Sequence, residues 1–346
     1  MNARATDGDE VVQAEKAIFY YRSWVKKHLN FRTIRSLRGK LTLWYDAAQR
    51  DLPWRRTRDP YAIWISEVML QQTRVAAVIP YYRRFLARFP DSAALAAAPE
   101  AELLALWSGL GYYSRARNLQ KAAQQIVQSG SFPNNYSAIL DLAGVGTYTA
   151  AAIASISFGL PHAVVDGNVR RVLARWTNDG HLDAQPTADR LLDRNDPARW
   201  NQALMELGAT ICLPRDPRCK ECPVTAHCAA RRAGTQNQLP LKRAKPTPER
   251  LARTLLVIRR KGLTLLMPSP RVQGFWDLPE PYPMSHPGAT LGEFRHTITR
   301  RHYRFTVKEA SARVGPAGSR WHSAQELEQI PLSTTAKKAL RIYNAL

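Results

Sequence analysis

Leu142-Ala-Gly-Val-Gly-Thr-Tyr-Thr-Ala-Ala-Ala-Ile153 sets Gly144 and Gly146 between two stretches of helical texture. Glycine permits a tight turn there, and the backbone N–H groups opening the next helix are left available to a phosphate oxygen. Ordinary helical hairpins use the same Gly-x-Gly turn, so the string alone decides only local structure. The sequence around it is helical from about Leu41 to Ala233. Asp59-Pro60 reads as an N-cap followed by proline at the first helical position, and Ile63, Trp64, Val68, Leu70 and Val75 recur after it at helical spacing. Pro80 is expected to end or bend that helix. Alanine-rich runs near 93–106, 121–127 and 149–156 continue the pattern, and no βαβ rhythm or internal repeat is visible.

Outward from this core the texture changes twice. Arg22 to Lys40 holds seven basic residues and no acids, with Trp24 and Phe31 among them. Residues 1–40 are read as a basic N-terminal extension, whether a DNA-contacting arm, a solvated tail or the product of a misassigned start codon. Leu239–Arg250 is charged and holds three prolines, so 234–250 is read as a linker. Beyond it, Thr254–Ile258 and Leu263–Met267 bracket a turn containing Gly262, a β-hairpin signal, and Tyr303–Val307 alternates like a strand. Residues 251–346 are therefore expected to form a smaller α+β domain after a helical domain of 41–233.

The chain has 346 residues, 45% of them hydrophobic, which suits two domains with cores of their own. Fifty Lys and Arg against 28 acids give a formal charge of +22. A surplus of that size favours a polyanion, because each neutralised phosphate releases counterions. A membrane surface fits less well, since no apolar run approaches ~18 residues and no long basic amphipathic face is present. No export signal is evident either, so a cytoplasmic, nucleoid-associated location is expected if the source is bacterial, and a monomer is expected.

The four cysteines, Cys212, Cys219, Cys222 and Cys228, are packed into one short segment. That density, with no cysteine elsewhere, points to one metal centre rather than disulfides. Spacing alone admits either tetrahedral zinc or an iron–sulfur cluster. Arg215 and Arg218 lie in the same loop, which would give it a positive face for phosphate.

Taken with its neighbours, the opening string resembles the helix-hairpin-helix element of the base-excision DNA glycosylases. Val164-Val-Asp-Gly-Asn-Val169 resembles that superfamily's catalytic-aspartate segment, and the cysteine spacing resembles its 4Fe–4S loop. Endonuclease III-like members place a nucleophilic lysine in the hairpin, where this chain has Tyr148. Trp64-Ile-Ser-Glu-Val-Met-Leu-Gln-Gln-Thr-Arg-Val75, with Arg50–Arg55 before it and Trp107–Arg115 after it, is similar to the MutY-type adenine glycosylases. That resemblance implies a mainly α glycosylase core with helix-hairpin-helix motif and iron–sulfur loop, plus a C-terminal α+β Nudix-like domain. It implies removal of adenine from 8-oxoguanine:A or G:A mispairs in double-stranded DNA, with a 4Fe–4S cluster held by the four cysteines.

In that reading Glu67 protonates the departing base, which requires a carboxyl kept neutral by apolar neighbours such as Trp64, Val68 and Leu70. Asp166 steadies the oxocarbenium-like sugar, Asn168 holds the carboxylate network and Tyr148 orients it. Gln72 and Tyr112 are the implied wedge residues that fill the gap left by an extruded base. Thr73, Leu110, Arg55, Gly144 and Gly146 are further implied DNA contacts. Each has a plainer reading: a salt-bridged glutamate, a buried tyrosine, a surface glutamine.

The C-terminal resemblance rests on Gly274-Phe-Trp-Asp-Leu-Pro279 and lacks the Glu-rich hydrolytic helix of Nudix enzymes, so binding without hydrolysis is implied. Where the family's reading loop carries Phe-Ser-His, this chain has Ile298-Thr299-Arg300. Arginine only donates hydrogen bonds, whereas histidine can also accept. Weaker discrimination against G:A is therefore expected, unless the loop simply grips phosphate. The alternatives are an endonuclease III-like glycosylase/lyase acting on damaged pyrimidines, or an inactive mismatch-binding protein.

Overall fold

The computed structural model describes residues 30–241, 247–298 and 300–345. Its helices run, in chain order, α1 (Phe31–Ala48), α2 (Pro60–Leu70), α3 (Val75–Arg88), α4 (Ser92–Ala97), α5 (Glu100–Trp107) and α6 (Ser114–Ser129). They continue as α7 (Tyr136–Leu140), α8 (Thr147–Phe158), α9 (Gly167–Thr177), α10 (Ala184–Leu191), α11 (Pro197–Thr210) and α12 (Ala229–Ala233). Six strands follow: β1 (Glu249–Arg260), β2 (Leu263–Pro268), β3 (Trp276–Asp277), β4 (Ser285–Ile298), β5 (Arg301–Ala312) and β6 (Arg320–His322). The chain closes with α13 (Ala324–Gln329) and α14 (Thr334–Asn344).

Two compact units emerge from the packing. One holds the described residues of Met1–Ile63, Pro133–Asp141 and Val145–Arg243, and the other those of Trp64–Phe132, Leu142–Gly144 and Ala244–Leu346. This differs from a division at the 234–250 linker, because residues 64–132 pack with the C-terminal sheet. Ser108 Oγ donates to Leu332 O at 3.2 Å, Lys337 Nζ donates to Ser108 Oγ at 2.8 Å, and the Tyr113 ring lies 4.0 Å from that of Phe275.

In the first unit, Leu37, Leu41 and Tyr45 on α1 pack with Val169, Val172 and Trp176 on α9 and with Trp200, Leu204 and Leu207 on α11. The boundary expected at residue 40 thus falls inside a buried helix. Leu37, Leu41 and Tyr45 recur every four residues, which puts them on one face, and Asn30 caps the helix through Thr33 N. Residues 1–29 lie outside the described residues. The expected linker also differs at its start: Leu239 is buried in this core against Gly180 and its carbonyl accepts from Arg175 Nε. α8 is buried on every side from Thr149 to Ile156, as suits a helix apolar nearly all round.

Asp59 caps α2 through Tyr61 N (3.2 Å) and Ala62 N (3.0 Å), with Pro60 at the first position, as the sequence predicts. The helix ends at Leu70, however, in a turn where Gln72 takes φ +58°. Pro80 does not terminate it but sits inside α3, where it forgoes one i→i−4 bond.

In the second unit the sheet order is β3-β2-β1-β5-β4, with β6 on β2. β1 and β2 form the expected hairpin, Arg260 facing Leu263 across Lys261 (φ +49°) and Gly262 (φ +79°). Two successive left-handed residues match the twist of a two-residue hairpin. β1 lies parallel to β5, and alternate residues serve opposite faces: Leu255 and Val257 meet α14 through Ala336 and Ala339, while Leu256 and Ile258 meet Leu265 and Ala310. No described helix is long and apolar enough to cross a membrane.

Candidate active site

Glu67 lies on α2, 6% exposed, in a helix whose residues Tyr61 to Met69 are all buried. Trp64 and Val68 on the same helix are buried, and Leu70 is half-buried. It belongs to the second unit, Asp166 to the first.

Asp166 is the N-cap of α9. Its Oδ1 accepts from Val169 N at 2.6 Å and its Oδ2 from Asn168 Nδ2 at 2.8 Å. Burial pushes the carboxyl's pKa up; the bonds from Val169 and Asn168 and the charge of Arg171 pull the other way without cancelling it. Asn168 Oδ1 in turn accepts from Arg171 Nη2 (2.8 Å), which also donates to Gly208 O, while Arg171 Nε donates to Cys212 O. At Gly208 a Cβ would meet Asn168 Cβ at 2.6 Å, so α9 and α11 approach closely only because position 208 has no side chain. The segment leading to Asp166 is pinned by the buried Asn201, whose Oδ1 accepts from Val164 N and whose Nδ2 donates to His162 O and Ser155 Oγ.

Tyr148 sits in the first turn of α8, its hydroxyl 3.7 Å from Met205 Sδ. In the hairpin before it, Gly144 is left-handed (φ +75°), and a Cβ there would strike Asn118 at 2.6 Å. Gly146 is the N-cap of α8 and brings no side-chain acceptor to its first N–H groups, the condition for offering them to an anion.

The four cysteines line one cavity of ≈ 20 Å³ with Arg175, Trp176 and Ile211. Arg175, 1% exposed, donates through Nη1 to Cys212 Sγ (3.2 Å) and Leu213 O (2.7 Å), and through Nη2 to Pro214 O. Burial pushes the Cys222 thiol up to about 12 and those of Cys219 and Cys228 in the same direction. Among the described residues no three His, Cys, Asp or Glu side chains are placed to hold a single ion. Arg215 is exposed, whereas Arg218 is paired with Glu221 at 3.1 Å.

Gln72 and Tyr112 are both exposed and both left-handed, at φ +58° and +48°. Thr73 Oγ1 donates to Gln71 O, and the Leu110 side chain is buried. Arg55 does not stand free: Nη2 donates to Glu206 Oε2 at 2.7 Å, Nη1 to Arg50 O, and its guanidinium covers the Tyr45 ring. Thr299 lies outside the described residues. Arg300 lines a ≈ 510 Å³ cavity with Arg271, Ile298, Arg301 and Tyr303.

Residues 65–194 match the HhH-GPD superfamily of base excision DNA repair proteins. The human adenine DNA glycosylase is 34% identical over 90% of this chain and 74% of its own length. The chain belongs to the adenine DNA glycosylase family. A further member of the family, from Mycolicibacterium smegmatis, is 42% identical over 56% of this chain and 69% of its own. A thermostable thymine-DNA glycosylase superposes with TM-score 0.55 at 30% identity, covering 58% of this chain and 97% of that one. A non-covalent endonuclease III–DNA complex, 23% identical, shares the fold over 59% of this chain, with TM-score 0.53.

The HhH-GPD fold with its helical core and C-terminal sheet is therefore as the sequence predicts. Sequence reasoning passed over Glu206, fully buried on α11 and bound by both Arg50 and Arg55. Burial would raise its carboxyl, but the two arginines outweigh burial and hold it at about 2. An acid among Ala203, Leu204 and Leu207 was the only signal for it. Asn201, Arg171 and Arg115 were also missed, because most of their partners are backbone groups distant in sequence.

Proposed function

We propose that this protein removes adenine from duplex DNA by hydrolysing its N-glycosidic bond during base-excision repair. The observation that carries the reading is a carboxyl, Glu67, buried in an apolar helix within a chain of the adenine DNA glycosylase family. Adenine anion is a poor leaving group, so the base must be protonated as the bond breaks. Glu67, buried on the same helix as Trp64 and Val68, is the carboxyl we assign to donate that proton. Asp166, with its hydrogen bonds from Asn168 and Val169, supplies the negative charge that a cationic sugar needs. Tyr148 in place of a lysine leaves the hairpin without an amine for Schiff-base chemistry.

The preferred substrate is adenine opposite 8-oxoguanine, and the C-terminal sheet, a Nudix-like domain without hydrolytic residues, reads the oxidised base. Support comes from the β4–β5 turn, where Ile298 and Arg300 border the cavity shared with Arg271 and Arg301. Cys212, Cys219, Cys222 and Cys228 would hold a 4Fe–4S cluster. Four thiols round one cavity suit it, since each iron takes one thiolate, and Arg175 already donates to one sulfur. Bound there, the cluster would knit the loop of Arg215 and Arg218 into a phosphate-binding surface.

Single-turnover kinetics on 8-oxoguanine:A and G:A duplexes, with alkali to reveal abasic sites, test the proposal. Adenine release should be faster on the oxidised duplex, and Glu67→Gln should lower the rate by at least about 10³ while retaining duplex binding. Unchanged rates in Glu67→Gln would overturn the mechanism, and strong borohydride trapping would favour a lyase.

A further inference from the structure

Gln72 stands just beyond the end of α2 and Tyr112 just before α6, both exposed, both in a backbone region that L side chains rarely adopt. A single side chain ties the two turns together. Arg115 Nη1 donates to the carbonyls of Val68 (2.6 Å), Met69 (3.2 Å) and Gln71 (2.8 Å), and Nη2 to those of Leu110 (3.2 Å) and Gly111 (3.1 Å). Its guanidinium also lies over the rings of Trp107 (5.3 Å) and Tyr112 (5.7 Å), and Trp107 Nε1 donates to Gly111 O at 3.1 Å.

The placement serves neither turn alone. Arg115 is in the first turn of α6, where a cation opposes that helix's dipole. Its charge instead meets the carbonyl-rich end of α2, whose last C=O groups have no partners within the helix. A planar fork with fixed N–H directions can hold carbonyls from two turns at one spacing; a flexible ammonium cannot.

We infer that Arg115 is a positioning residue for base extrusion, locking the turns of Gln72 and Tyr112 into one rigid wedge that enters the base stack as a unit. The inference rests on the glycosylase function proposed above and adds to it a residue that acts mainly through backbone carbonyls. A wedge set in advance need not be ordered while the base is leaving, so extrusion is faster.

The test is a double-mutant cycle. Arg115→Lys, the wedge-less Gln72→Ala/Tyr112→Ala variant and the three substitutions combined are compared on an 8-oxoguanine:A duplex. Fluorescence of a 2-aminopurine beside the target adenine reports extrusion, and single-turnover adenine release reports chemistry. Arg115→Lys should slow extrusion about tenfold, while adding it to the wedge-less variant should cost nothing further. An equal slowing in both backgrounds would mean a general structural role and would overturn the inference, as would wild-type extrusion in Arg115→Lys. Trp107→Phe, which removes only the indole bond to Gly111, is the milder variant if Arg115→Lys does not fold. The same cancellation is expected of it, and its absence overturns the inference equally. Failure of the unmodified protein to release adenine would refute the proposed function instead.

Discussion

At Asp166 two opposing influences meet on one carboxyl. Burial raises its pKa, while the Val169 and Asn168 bonds and the Arg171 charge lower it, and burial wins. If the anion is the working form, activity is lost as pH falls through a value above the ordinary aspartate range. Removing the Asn168 donor takes away part of what opposes burial, so the pKa rises further and the acid limb of the rate profile moves to higher pH. For Asn168→Ala we expect a loss of about tenfold on the acid side and a smaller one at alkaline pH. Single-turnover rates across pH check this; a uniform loss at every pH would mean that Asn168 does not act through the charge of Asp166.

At the scale of the element, α11 carries both the contact that lets α9 approach and the carboxylate that holds residues 50–55. Gly208 admits Asn168, and two residues earlier Glu206 binds Arg50 Nε and Nη2 and Arg55 Nη2, each at 2.7 Å. Its pKa is depressed to about 2, so the stabilisation is present above the unfolded value near 4.5 and is lost as pH falls through 2. Glu206→Gln leaves two cations facing a neutral amide, which should cost about 3 kcal/mol at neutral pH. The deficit should shrink between about pH 4.5 and 2, where the unfolded wild-type chain binds a proton at this carboxyl that the folded one does not. Chemical denaturation at pH 7 and pH 3 measures both; equal deficits at the two values would exclude the ion pairs as the cause.

For the molecule as a whole, what could be read in advance followed from local rules, and what could not depended on distant backbone. The Asp59-Pro60 cap, the Lys261-Gly262 hairpin and the glycine turn at 144–146 each obey chemistry contained within a few residues. Pro80 misled because the helix breaks earlier, at Gln72, and glutamine carries no signature of a left-handed turn. The basic run through Lys40 hid the four-residue spacing of Leu37, Leu41 and Tyr45. Arg115 and Arg171 bind carbonyls that no spacing rule connects to them. The net charge of +22, by contrast, is a property of the entire chain and predicts a whole-molecule behaviour. Binding to any duplex should weaken by about 10³ or more between 50 and 200 mM salt if six or more phosphates are neutralised. Preference for the lesion, which comes from contacts to bases, should change little over the same range. Arg215, exposed in the cysteine loop, is the residue to probe. Arg215→Ala should weaken lesion and undamaged duplexes alike and reduce the slope of log K against log salt by about one. An altered lesion preference with an unchanged slope would show that this loop reads bases rather than phosphate.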